Sequence, residues 1–152
     1  MKRLILILFV VSIVNSFAQT KLDYGIQFYH GTWKEACDKA KAENKLIFVD
    51  FYTQWCGPCL NMAENVFILP FIGDFYNTNF VNMKIDAENG EGVELAKRYG
   101  VNSYPTYVFV DPKNGDVVHQ SKSRQEAEQF LATGKSALVP ELRSGYLIEE
   151  FA

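Results

Sequence analysis

A basic run is missing from this sequence, and so is a cysteine framework. Its 152 residues hold 15 Lys+Arg against 18 Asp+Glu, a formal net charge of −3, and nowhere do the cations cluster. That argues against nucleic acid as a partner, because phosphate binding rests on clustered Lys and Arg. Three cysteines are too few to staple a small fold. Gly (10) and Pro (5) are no commoner than average, which excludes collagen-like and low-complexity chains. A hydrophobic share of 48%, spread along the chain, excludes disorder. No internal repeat, linker or charge block divides the sequence. What remains is one domain, large enough to bury roughly two-thirds of its surface. The cysteine count is nevertheless odd, so at least one thiol lacks an intramolecular partner.

The start of the chain is apolar out of proportion. Thirteen hydrophobic side chains fall within residues 1–18, where Lys2 and Arg3 precede an apolar run over 4–14 and Ser16-Phe17-Ala18 supplies a small-x-small pattern. This is the layout of a secretory signal peptide cut after Ala18. A run of eleven residues falls short of the ~20 residues of a membrane span, so no stable membrane insertion is expected after cleavage. Residues 19–152 are read as a single domain of 134 residues with 13 Lys+Arg and 18 Asp+Glu, hence net −5. Export to a periplasmic or other extracytoplasmic space would let disulfides form and persist.

Punctuation along the domain predicts its elements. Thr32 with Glu35 three residues later is a capping box opening a helix over 33–42. Leu46-Ile-Phe-Val-Asp-Phe-Tyr52 is apolar on both alternating faces, as a central strand covered on both sides must be. Helices are expected from Cys56 or Gly57 to Val66 and from Pro70 to Asn77, then a strand over 80–85. A helix over 91–99 ends at Gly100 as its left-handed stop. The turn-rich 111–116 separates strands over 107–110 and 117–119, which marks a hairpin. Ser123 with Glu126 reads as a second capping box, starting a last helix toward Leu131. The order implies an α/β fold, a central mixed sheet flanked by helices on both faces. Its early pairings are expected to be parallel and only the terminal hairpin antiparallel. After about residue 132 the chain is apolar and unassigned.

The chemistry concentrates at Trp55-Cys56-Gly57-Pro58-Cys59, where a buried strand hands over to a helix. Cysteines at i and i+3 in a first helical turn lie on one side, near enough to open and close a disulfide without moving the fold. Free backbone N–H groups and the positive end of the helix dipole stabilise an anion there, so Cys56 is expected to be partly thiolate near neutral pH. Pro58 breaks no hydrogen bond in a first turn. Gly57 presents no side chain to an approaching substrate. Cys56 is read as the exposed nucleophile and Cys59, one turn inside, as the resolving thiol. Trp55 is read as substrate-facing and Trp33 as core. A C-x-x-C can instead be half of a zinc site completed by Cys37, His30 or His119, but a second pair at metal spacing is missing and no metal is expected. A purely structural bridge over so short a loop would constrain the unfolded chain little. Cys37, spaced helically with Trp33 and Ala40, is expected to be a packed small hydrophobe. His30 and His119 are read as surface or turn residues, and Asp86, Glu88, Glu91 and Glu94 as a solvated acidic rim rather than a calcium loop.

Val49-Asp50-Phe51-Tyr52-Thr53-Gln54-Trp55-Cys56-Gly57-Pro58-Cys59, followed downstream by Ser103-Tyr104-Pro105-Thr106, resembles the thioredoxin family over about residues 26–132. The resemblance implies a thioredoxin fold that works without a cofactor. It implies a cis proline at Pro105 beside the redox pair, with the backbone of Tyr104 pairing with an extended substrate segment. Trp55, Gly57, Pro58, Tyr104 and Pro105 are then the expected substrate-binding residues. The family's buried acid falls at Asp50, and the residues agree, since an acid there interrupts an apolar strand. Burial would raise its pKa and let it carry protons for Cys59. The lysine that the family keeps near this acid aligns with Asn82, so proton handling is expected to differ. Val66-Phe67 followed by Pro70 is similar to the thioredoxin-like C-terminal domain of exported membrane electron transporters and their free-standing relatives.

These implications add up to an exported thiol:disulfide oxidoreductase. Gly57-Pro58 between the cysteines resembles the reducing members, so the expected partners are disulfide-containing exported proteins and a membrane electron-transfer donor. A disulfide oxidase or isomerase, and a binding module without turnover, are the alternatives.

Overall fold

The structure, a computed structural model, describes residues 24–142; the signal segment read at 1–18 and the tail beyond 142 lie outside the described residues. The first helix, α1 (Trp33–Glu43), starts where the capping box places it. The Thr32 hydroxyl accepts from the Glu35 amide at 3.3 Å, and the Glu35 carboxylate accepts from the Thr32 amide at 2.8 Å. Two donors that a helix start leaves free are thereby satisfied. Asn44 ends the helix in the left-handed conformation with φ 51°. Thr32→Ala is expected to lower the unfolding free energy by about 1 kcal/mol, read as a lower urea midpoint with an unchanged slope.

The apolar run at 46–52 becomes β1 (Leu46–Tyr52), with β2 (Phe80–Asp86) parallel on one side and β3 (Thr106–Val110) on the other. β4 (Val117–Lys122) closes the order β2-β1-β3-β4. Both faces of β1 are covered, as its sequence demands. Ile47, Val49 and Phe51 join Val81, Met83 and Ile85 beneath α1 and α4 (Gly92–Arg98). Phe48, Tyr107 and Phe109 pack beneath α2 (Gly57–Asn65), α3 (Pro70–Asn79) and α5 (Ala127–Leu138). This second core is aromatic: the rings of Tyr76, Phe109 and Phe130 lie 4.9, 5.2 and 5.8 Å from that of Phe48. Strand alternation puts Asp50 on the same face as Phe48, the one that α2, α3 and α5 cover. Among the described residues no helix is long and apolar enough to cross a membrane.

Two expectations are overturned. β3 runs antiparallel to β1, with Asp50 opposite Tyr107 and Phe51 opposite Thr106, so the antiparallel part of the sheet is larger than the hairpin. β1 and β2 finish at the same end, Tyr52 beside Asp86, and β3 begins at that end too, with Thr106 opposite Phe51, so the strand runs back along β1.

The second capping box does not form either. Ser123 takes a left-handed φ of 71°, and its amide donates to the Pro105 carbonyl at 2.9 Å. Glu126 instead sits at the N-cap of α5 without a side-chain cap, its carboxylate 2.6 Å from Arg124. A backbone partner at Pro105 outcompetes the local cap. α5 also continues past residue 132 to Leu138, because Thr133, Gly134 and Ala137 give it a buried face.

Candidate active site

The site forms where β1 ends and α2 begins. Cys56 is the N-cap of α2, in extended conformation, and its sulfur accepts from the Cys59 amide at 3.1 Å. That amide is one of the donors a helix start leaves unpaired, and it is suited to holding negative charge on Cys56 sulfur in the reduced form. Here the two cysteines are joined as a disulfide, with Cα atoms 5.3 Å apart. In this form Cys56 is 6% exposed and Cys59 3%, so Cys56 is more covered than the exposed position the sequence implied, though still the outer of the two. Pro58 lies in the first turn, and a Cβ added at Gly57 would meet nothing within 4 Å, which leaves open space beside Gly57.

A cleft of about 250 Å³ has both cysteines in its wall, together with Tyr52, Trp55, Leu60 and Lys84. Trp55 is 70% exposed yet fixed on two sides. Its indole N–H donates to a Glu88 carboxylate oxygen at 2.9 Å, and its ring meets Tyr104 edge-on at 6.0 Å. The Tyr104–Pro105 bond is cis. Because Thr106 pairs with Phe51, this bond lies at the end of β1 from which Cys56 follows. Trp55, Cys56, Gly57, Pro58, Cys59, Tyr104 and Pro105 are thus brought to one end of the sheet.

Asp50 is 1% exposed, and neither carboxylate oxygen has a hydrogen-bond partner among the described residues. Burial pushes its pKa up to about 7, against a smaller opposing pull from Lys84. Lys84 is its register partner on β2 and holds its amine 4.8 Å from the centre of the Tyr52 ring. Lys84 thus stands across the strand pair from Asp50 without bonding its carboxylate. Asn82 occupies the aligned position, and the cation enters two residues later on the same face of β2. A two-residue offset along one strand keeps the face, which is the signal that alignment alone overlooks.

The remaining side chains sort differently. Cys37 is half-buried against the core beneath α1, on the face of the sheet opposite Phe48, and burial pushes its thiol pKa up. His30 is exposed, whereas His119 is half-buried against Phe109 on β4 rather than in a turn, and burial lowers its pKa. Among the described residues no three His, Cys, Asp or Glu side chains gather where they could hold a metal ion. The acidic rim is more than solvated charge. Glu91 accepts from the Trp33 amide at 2.8 Å, and Asp86 accepts from the Glu88 amide and from Asn89 and Gln54 side chains. Gly92 closes this loop, because a Cβ there would run into the Asp86 carbonyl. Glu88 and Lys84 are the site residues that sequence reasoning missed.

A C-x-x-C disulfide capping a helix, a cis proline and a buried acid below it define a dithiol–disulfide site on a thioredoxin fold. The model of the thioredoxin-like domain matches residues 33–138, and the chain belongs to that family. It is 46% identical over 69 residues to thioredoxin-1 of Drosophila yakuba, covering 45% of this chain and 60% of that protein. It is 37% identical over 86 residues to thioredoxin H4 of Arabidopsis thaliana, covering 57% and 66%. Among solved structures, a proposed disulphide-isomerase of Bacteroides thetaiotaomicron shares 41% identity with a TM-score of 0.69, covering 80% of this chain and 97% of that one. A thioredoxin of Thermus thermophilus shares 28% with a TM-score of 0.67, over 76% and 88%. The chain spans about 60% of the length of the Drosophila relatives it matches.

Proposed function

We propose that this protein is an exported thiol:disulfide oxidoreductase that reduces disulfides in other exported proteins. The observation that carries the reading is the Cys56–Cys59 disulfide capping α2 beside the open space at Gly57, at the same end of the sheet as the cis Pro105. In the reduced protein the Cys56 thiolate attacks one sulfur of a substrate disulfide, forming a mixed disulfide and releasing the other substrate sulfur as a thiolate. Cys59 passes its proton to Asp50 and attacks the Cys56 sulfur. The second substrate thiolate leaves, two electrons have moved to the substrate, and Cys56 and Cys59 remain bonded. Return to the dithiol needs a donor, which in an oxidising compartment is a membrane protein carrying electrons outward. The pattern at 1–18 supports export.

Gly57-Pro58 supports the reducing direction. Thioredoxin lies near about −270 mV and strong oxidants near about −120 mV, so equilibration with glutathione separates the two. A potential close to that of thioredoxin is expected; one close to the strong oxidants overturns the reducing direction. The Bacteroides neighbour favours a second reading, disulfide isomerisation. Recovery of activity by a scrambled-disulfide substrate, catalysed by reduced protein, would support it.

A further inference from the structure

The Trp55 wall carries a fixed charge. An exposed indole normally finds water, but here its N–H is committed to Glu88 at 2.9 Å. Glu88 in turn is placed by its own amide, which donates to Asp86 at 3.0 Å. The donor on Glu88 is neutral, and none of the ion pairs among the described residues includes Glu88. Lys84, a cation of the same cleft, is turned over the Tyr52 ring. A carboxylate therefore stands at the N–H edge of the indole whose ring meets Tyr104. An indole donating to an anion also has an electron-richer ring, which strengthens its attraction for a cation laid on that face.

Resting on the oxidoreductase reading above, we propose that Glu88 is a specificity-determining residue, favouring disulfides flanked by Lys or Arg. The apolar stem of such a side chain lies on Trp55 while its charged end reaches the Glu88 carboxylate. A flanking Asp or Glu meets repulsion at the same place.

The test uses two disulfide peptides identical except for Arg or Glu beside one cysteine, with second-order rates measured for the dithiol protein. The Arg peptide is expected to react about tenfold faster at low ionic strength, a preference that shrinks as salt screens the charge. Glu88→Gln keeps an acceptor for the indole, so Trp55 fluorescence should hold while the ratio falls toward one; Glu88→Lys should invert it. Equal rates for the two peptides with wild-type protein, or a ratio unmoved in both variants, overturns this assignment alone. Reduction of neither peptide by wild-type protein instead defeats the oxidoreductase reading.

Discussion

With Cys59 replaced by serine, the protein is expected to accumulate covalently bound to its substrates, and steady-state disulfide reduction to fall on the order of a thousandfold. The reason is proximity. In the oxidised form Cys59 lies within bonding distance of Cys56, with Cα atoms 5.3 Å apart across one helical turn. A mixed disulfide on Cys56 is therefore resolved by a neighbour already in place, and no dilute external thiol competes with that arrangement. Removing Cys59 leaves the first attack intact and blocks the second. Adducts should appear on non-reducing gels, vanish with reductant, and be absent from Cys56→Ser, which lacks the first nucleophile. Adducts on Cys56→Ser but none on Cys59→Ser would reverse the two roles. Mass spectrometry of the trapped species would identify the substrates.

Much of this site was legible because its chemistry is local. Cys56, Gly57, Pro58 and Cys59 share one helical turn, so spacing alone sets their geometry, and Asp50 betrays itself by interrupting an apolar strand. Contacts between distant segments were not legible. The direction of β3 depends on the end of the sheet at which the chain re-enters after the nineteen residues that link β2 to β3, of which seven form α4. Ser123 obeys the arithmetic of a capping box, but its amide has a tertiary partner in the Pro105 carbonyl, and tertiary bonding overrode the local preference. Glu88 was visible only as one acid in a loop. Its bond to Trp55 spans 33 residues and follows from the parallel register that sets Tyr52 beside Asp86.

Asp50→Asn is expected to stabilise the oxidised protein by about 4 kcal/mol at pH 8 and by little at pH 4, at 1.36 kcal/mol per pKa unit. The carboxyl rises from 3.8 to about 7 because burial disfavours its charged form more than Lys84 favours it. Between those values the folded protein holds a proton that the unfolded chain has lost, so wild-type stability should decline as pH rises from about 4 to about 7 and then level off. The amide variant carries no such charge, and its stability should not follow that decline. Urea unfolding across pH measures both; a constant offset between the two proteins at every pH would show packing rather than ionisation. The charge is destabilising, yet it puts a proton acceptor near neutrality on the face of β1 that α2, with Cys59, covers. A carboxyl with a pKa of about 7 is neutral and anionic in comparable amounts at pH 7, so it can take the Cys59 proton in one half-reaction and return it in the other. Asp50→Asn should accordingly slow release of the mixed disulfide by about 10–100-fold near pH 7, with the gap narrowing at high pH where Cys59 ionises unaided. A mixed disulfide that resolves at the wild-type rate in this variant would leave the buried charge without a chemical role.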